Sequence, residues 1–284
     1  MKEGYFCIRT YEAGLIGEKT KFFVPGKRAE NGKLSRRQRN AIRKQEQNEY
    51  SAQKALARLI NANFVSGDLL LGLDYNDAGM ERILNWGRAH GLEVDSEDEA
   101  VRQDTVWEAA AHELDIALRR VKRQLEKEGK ELIAIYTTSD MDGDTGELVR
   151  VHHHLLVKKE AREAFVKAWE KFGMGGVNWK SLWDNQIDRT PIAEYILKQV
   201  RRIPDAKKYR STRNLIRPVP KTRVVYTDNE LKVPKGGTLI FRQEMKNGPT
   251  VGRGDLSRQS QYIRYILPEK EKRDCHTSLR TGSQ

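Results

Sequence analysis

Cysteine is nearly absent: two in 284 residues, Cys7 and Cys275, near opposite ends of the chain and at no metal-ligand spacing. That argues against a disulfide framework and a thiolate metal centre, and it suits a reducing compartment. No apolar run approaches the ~18 residues of a membrane-spanning helix. The opening MKEGYFCIRT is not followed by the apolar stretch of a signal peptide, so a cytoplasmic location without membrane partners is expected. A G-x-x-x-x-G-K-[ST] phosphate loop is missing too. GLIGEKT at 14–20 has the wrong spacing and no strand-to-helix context, so neither a nucleotide cofactor nor an ATP-driven motor is expected. Internal repeats are also lacking.

What the chain has in quantity is positive charge. Lys and Arg total 52 against 40 Asp and Glu, a formal net charge of +12, while 38% of residues are hydrophobic, including five Trp and ten Tyr. The apolar fraction is enough for a core, and the charge favours a polyanionic partner whose phosphates Lys and Arg can neutralise. Composition divides the chain into three zones. Residues 1–60 are polar and basic, with eight Lys or Arg and one acid between Lys27 and Lys44. A helix is expected from an N-cap at Ser35, with Ala52, Ala55, Leu56 and Leu59 on its inner face. Residues 61–220 carry the strong patterns. Residues 221–284, with VPKGGT and NGPTVGRG, read as an extension holding a strand or two before a charged tail.

Within the middle zone, GDLLLGLDY (67–75) reads as a strand. Trp107, Ala110, Ala111, Leu114, Leu118, Val121 and Leu125 recur at steps of three and four, marking a long helix. ELIAIYTT, the turn SDMDGDTG and ELVRVHHHLLV form a hairpin over 131–157. A helix around 160–172, a strand in GGVNWKSLW and a helix in PIAEYILKQV complete the set. Strand, helix, strand, strand, helix, strand, helix implies an α+β domain with helices packed on an antiparallel sheet.

Three consecutive histidines on a strand need an explanation. Alternation puts His152 and His154 on one face with Arg150, and His153 on the other with Val151, Leu155 and Val157. His153 is then the packing residue, and the outer two are candidate ligands for one metal ion. About forty residues on, Tyr195 and Lys198 stand three apart on one helix face. A tyrosine beside an ammonium group gains access to its phenolate, the nucleophilic form.

A His-x-His strand followed by a Tyr-x-x-Lys helix resembles the HUH endonucleases that initiate rolling-circle replication. KKYRSTRNLIRPVP after the tyrosine helix is similar to a stretch of the plasmid and phage initiators, and NANFVSGDLLLGLDYND to their first strand. The departure is a histidine, His153, in place of a plain hydrophobe. The resemblance implies a central antiparallel sheet of RRM-like topology. It implies Mg²⁺ or Mn²⁺ on His152 and His154, attack by Tyr195 to give a 5′-phosphotyrosine, and charge stabilisation by Lys198. It further implies DNA contacts at Arg150, Lys158, Arg213 and Asn214, a single-stranded or locally melted origin as substrate, and a host helicase with replication machinery as partners. A third ligand is expected, with Glu131, Asp140, Asp142 and Asp144 all open; Tyr209 reads as a contact or packing residue. The competing readings are a mobilisation relaxase or single-strand transposase of the same superfamily, a noncatalytic RRM-like nucleic-acid-binding protein, and a water-using metal hydrolase.

Overall fold

The computed structural model describes residues 4–24, 37–183, 185–200, 207–245 and 260–268, with side chains given from Tyr50 onward in the first helix. Ser35, Cys275, His276 and much of the basic run at 27–44 lie outside the described residues. In chain order the elements are β1 (Tyr5–Ala13), β2 (Ile16–Val24), α1 (Arg37–Asn63), β3 (Leu69–Asp74), α2 (Asp77–Ala89), α3 (Glu99–Lys127), β4 (Ala134–Met141), β5 (Leu148–Val157), α4 (Arg162–Trp169), β6 (Val177–Ser181), α5 (Thr190–Lys198), β7 (Arg210–Ser211), β8 (Lys221–Val225), β9 (Thr238–Met245) and β10 (Ser260–Ile266). The fold is α+β, with two antiparallel five-stranded sheets. No described helix is long and apolar enough to cross a membrane.

The three compositional zones become two compact units. One joins residues 1–63, 187–190 and 216–284; the other holds 64–186 and 191–215. The expected N-terminal segment and C-terminal extension are therefore one body, with strand order β8-β1-β2-β10-β9. The physical reason is edge pairing. β1 and β2 form a hairpin that leaves backbone donors and acceptors open on both sides, and a lone hairpin is marginal in water. Strands from the far end of the chain close both edges. Charge in this zone masks its strand character: Lys19 and Lys21 lie inside β2, yet Lys21 is buried, bonded to Asp228 Oδ1 at 2.6 Å and the Asn229 carbonyl at 2.7 Å. On the sheet's other face sits α1. Its inner residues are Leu56, Ala57, Leu59 and Ile60, whereas Ala55 is exposed, a shift from the expected stripe. Arg58 reaches Glu18 Oε2 with two nitrogens at 2.9 and 2.7 Å, and the Lys54 ammonium lies 3.3 Å from the Tyr262 ring centroid.

The second unit has strand order β6-β3-β5-β4-β7. Period-two alternation sends Leu69, Leu71 and Leu73 of β3 and Val151, Leu155 and Val157 of β5 to one face, where they pack with Leu114, Phe165 and Trp169 from the helices. Helix α2 escapes the sequence pattern because Gly79 and Gly87 weaken its helical signature. Gly79 has a packing reason: a Cβ there would stand 2.0 Å from the Met174 carbonyl oxygen. Asn76 caps α2 by accepting from the Gly79 amide at 2.7 Å, and Asp98 caps α3 by accepting from the Ala100 amide at 2.9 Å. Another close approach fixes the end of β3. Gly175, at φ +151°, lies so near Asp74 that a Cβ would sit 1.9 Å from its carbonyl oxygen. Here the Asp74 amide donates to the Gly176 carbonyl at 3.1 Å and the Asn76 amide to that of Met174 at 3.0 Å.

Two predictions follow from these packings. Gly175→Ala combines a disfavoured backbone region with a backbone clash, and is expected to cost about 1–3 kcal/mol; a lower denaturant midpoint would register it, and an unchanged midpoint would refute it. The second concerns pH. Burial, opposed by Glu18, drops the Lys54 ammonium to about 7, against 10.5 in the unfolded chain. Between those values the unfolded state binds more protons, so the stability of the first unit should rise as pH increases from 7 toward 10. Above that, Tyr50 and Tyr262, whose ionisation burial opposes, reverse the slope. Lys54→Met should flatten the rise in melting temperature over pH 7–10.

Candidate active site

The face of the second sheet opposite its helical core carries a cleft of about 470 Å³, lined among others by Asp74, Arg150, His152, His154, Tyr195 and Lys198. Strand alternation delivers the imidazoles there. Their Nε2 atoms stand 3.0 Å apart with ring planes at 89°, so the two imidazole edges meet at hydrogen-bond distance. Nδ1 of His152 lies 3.0 Å from the Arg150 carbonyl, where it donates as N–H and leaves Nε2 with its lone pair. The pKa of His154 is lowered to about 4, first by burial and then by the neighbouring His152, while a hydrogen bond donated to Gln199 and the charge of Asp74 pull the other way. At neutral pH it is an uncharged nitrogen donor.

His153 points into the core, as alternation requires. It is fully buried, with Nε2 2.8 Å from the Tyr75 hydroxyl and Nδ1 3.1 Å from the Thr138 hydroxyl. The Tyr75 hydroxyl also donates to the Ala110 carbonyl at 3.3 Å. One arrangement satisfies all of these: Nε2–H donates to Tyr75 and the Thr138 hydroxyl donates to Nδ1. Burial holds this imidazole well below its ordinary pKa, hence neutral.

The other histidine-face residues come from the neighbouring strands. In register, His152 lies between Asp74 and Ser139, and His154 between Gly72 and Thr137. Glu131 is therefore not opposite His154. The hairpin turns later than Asp142–Gly143, the Asp142 amide donating to the Glu147 carbonyl at 2.8 Å, so the partner of His154 is Thr137. Glu131 precedes β4 and accepts from Asn214 at 2.9 Å. Asp142 and Asp144 line the cleft, but Asp142 caps its own turn, accepting from the amides of Asp144 and Thr145 at 2.8 Å each, which lowers its pKa. Asp140 is buried and not among the cleft-lining residues. The carboxylate across from His152 is Asp74, oriented by Asn178 Nδ2 at 2.6 Å from its Oδ2. Sequence inspection missed it. The signal was present in LGLD: a strand residue paired with a histidine strand on its exposed face. Register was needed to read it.

Tyr195 and Lys198 reach the cleft from α5, which is fastened at its C-terminal end. The Ser139 hydroxyl donates to the Gln199 carbonyl in a short bond, and Gly143 sits so close that a Cβ would come within 2.8 Å of Gln199 Cγ. The Tyr195 ring is 5.7 Å from that of His154 and 46% exposed, open to a substrate. Arg150 is at the rim, ion-paired with Asp77 at 3.0 Å. The other three residues expected to touch DNA are not in the cleft. Lys158 is committed to Asp68 at 3.0 Å with its side chain only 20% exposed, Asn214 bridges Glu131 and the Leu132 carbonyl, and Arg213 is exposed elsewhere. Tyr209 lines a small crevice with Trp107 and Tyr136.

Among the described residues no group of three or more His, Cys, Asp or Glu side chains is gathered as a ready-made metal set. The donors present nevertheless suit a divalent ion: two imidazoles with adjacent Nε2 atoms, one carboxylate on the adjoining strand, and at Gly72 no side chain to fill the floor. The chain matches no protein-family model, no curated protein and no solved structure.

Proposed function

We propose that this protein is a metal-dependent DNA nickase and strand transferase of the HUH type, starting rolling-circle replication through a tyrosine nucleophile. The observation that carries the reading is the convergence in one cleft of the His152–His154 pair with Tyr195 and Lys198, groups more than forty residues apart in sequence. Strand connectivity adds support. β3, β4, β5 and β6 lie side by side as β6-β3-β5-β4, with helices on the two crossovers, an order that supports the RRM-like reading.

His152 and His154, with Asp74, would hold Mg²⁺ or Mn²⁺, which when bound would polarise the scissile phosphate. Tyr195 loses its proton, its oxygen bonds to phosphorus, and the bond from phosphorus to the 3′ oxygen breaks. That oxygen takes up a proton and leaves as the 3′-hydroxyl that primes synthesis. Lys198, one helical turn away on the same face, stabilises the phenolate and the charge gathering on the phosphate. Arg150 offers a guanidinium at the rim for a neighbouring phosphate. The phosphotyrosyl bond conserves the energy of the broken phosphodiester, so rejoining needs no ATP. Strand separation falls to a host helicase, and the substrate is single-stranded or locally melted origin DNA in the cytoplasm.

Tyr195→Phe tests the nucleophile. With Mn²⁺ and a labelled single-stranded origin oligonucleotide, the wild type should give a protease-sensitive protein–DNA band on a denaturing gel. The variant should give none while binding the oligonucleotide within about twofold, since its phosphate contacts and their salt dependence are untouched. Cleavage by the variant without an adduct would instead mean water is the nucleophile. Asp74→Ala tests the ligand set: the Mn²⁺ concentration for half-maximal nicking should rise about tenfold or more, and Asn178→Ala should raise it less. An Asp74→Ala protein with an unchanged Mn²⁺ requirement would remove that carboxylate from the site.

A further inference from the structure

β6 is one edge of the second unit's sheet, and it leads from the histidine cleft to another opening. Gly72 pairs with Asn178 and Leu70 with Lys180, so Asn178 and Lys180 extend the face of His152 and His154 to the sheet edge; both are exposed. Past the end of the strand the chain is firmly fastened. The Leu182 amide donates to the Asp68 carbonyl at 2.8 Å, and the Leu182 carbonyl accepts from the Gly67 amide at 2.9 Å. Asp68 is itself buried, held by Lys158 at 3.0 Å and the Val65 amide at 2.7 Å. On this anchored segment Trp183 is 72% exposed and lines a cleft of about 580 Å³ with Ser66, Gly67, Ser181, Leu182 and Asn185.

The neighbouring tryptophan on β6 makes the contrast. Trp179 lies on the helical face of the sheet, where the Arg162 guanidinium covers its ring at 3.8 Å. Trp183 is left in water although the backbone beneath it is pinned at several points. A single exposed indole is common on protein surfaces; what sets Trp183 apart is that it lines a cleft on an anchored segment, where a flat ring can stack on its face. A protein partner would favour an apolar surround. Here the cleft is lined by Ser66, Ser181 and Asn185, whose polar groups can hydrogen-bond a base edge, and Lys180 stands three residues back on β6, where it can pair with a phosphate.

We propose that Trp183 is a stacking platform for one nucleobase of single-stranded DNA, seated in the cleft between Ser66 and Asn185, with Lys180 against the adjoining phosphate. The proposal rests on the nickase reading for its ligand. Asn178, hydrogen-bonded to Asp74, marks the near end of the track; at a rise of ~3.3 Å per strand residue Trp183 is at most about 16 Å further on, a span that a few nucleotides of extended strand cover. A base held there sets the register of the strand, so that one phosphodiester is presented to Tyr195 and its neighbours are not. Stacking is sequence-tolerant, and it complements the ion pairing expected from the net charge.

The test is fluorescence anisotropy of a labelled oligothymidylate of about 20 nucleotides with the full chain, without metal, across a salt series. Trp183→Ala should weaken binding about tenfold, within the range for loss of one stacked base, with the slope of log affinity against log salt unchanged. Trp183→Phe should recover most of the loss. Lys180→Ala should reduce that slope by about 0.7, the value for one phosphate contact on a single strand. Equal binding by wild type and Trp183→Ala, at matched melting temperature, would overturn the platform and leave the nickase reading standing. An equal loss of affinity for duplex DNA would overturn it as well. If Trp183→Ala loses affinity but the wild type forms no tyrosyl adduct on single strands, the nickase reading falls and the platform remains. Wild-type protein that fails to bind oligothymidylate overturns both.

Discussion

A fully buried imidazole has to satisfy two ring nitrogens without water, and His153 does so with the hydroxyls of Tyr75 and Thr138. Those partners come from the end of β3 and from β4, the two strands flanking β5, so a single side chain ties three elements together. A slip of β5 by one residue would bury His152 and His154 and leave each without those hydroxyls, at a cost of about 1–3 kcal/mol per orphaned polar group. The register that satisfies His153 is the register that turns the outer imidazoles to the cleft. The buried polar network thus specifies the exposed one.

The same register explains why the cleft is built on rigid parts. Asp74 is the last residue of β3, opposite His152, and its backbone is held by Gly176 and by the Trp169 indole, which donates to its carbonyl at 3.0 Å. Its carboxylate is oriented by Asn178 on the next strand. Across the cleft, Ser139 opposite His152 reaches the end of α5 and fixes the turn that carries Lys198 and Gln199. The ligand candidates and Tyr195 are therefore referenced to one strand, β5, through bonds of a single step. Such short chains of support hold side chains to the tolerance that phosphoryl chemistry demands. The electrostatics agree with the placement. His154 is uncharged at neutral pH, while the positive charges of the cleft come from Arg150 and Lys198 at the rim, where water lowers the cost of carrying them.

Much of this was legible in the sequence because it depends on local period. Alternation along VRVHHHLLV separates the packing histidine from the outward pair, and the three-residue step puts Tyr195 with Lys198. The elements from GDLLLGLDY to PIAEYILKQV appear in the expected order. Quantities that depend on register were not legible. Moving the turn of the β4–β5 hairpin by a few residues exchanges Glu131 for Thr137 beside His154, and no local rule fixes the turn of SDMDGDTG closely enough. Asp74 was hidden for the same reason, since it meets His152 only through strand pairing. Helix α2 was hidden by two glycines, one of them required by the Met174 backbone. The first unit was hidden by distance. β1 pairs with β8, and β2 with β10, across more than 200 residues of chain, and its buried Lys21 reads as surface charge until Asp228 is seen beside it.

That long separation has a consequence for how the molecule forms. The second unit is almost one continuous stretch, residues 64–186 with 191–215, and its widest strand pairing, β3 with β6, closes a loop about half as long as those that join β1 to β8 and β2 to β10. The first unit cannot complete its sheet until β8, β9 and β10 have followed the whole of the second. Loop-closure entropy makes such pairings late and slow. The histidine cleft draws every one of its lining residues from the second unit. Its chemistry is accordingly assembled by the part of the chain that can fold first. The titration of Lys54, by contrast, belongs to the part that folds last. Acidification toward pH 7 is then expected to loosen the first unit while leaving His154 in the cleft uncharged, because burial keeps it neutral down to about pH 4.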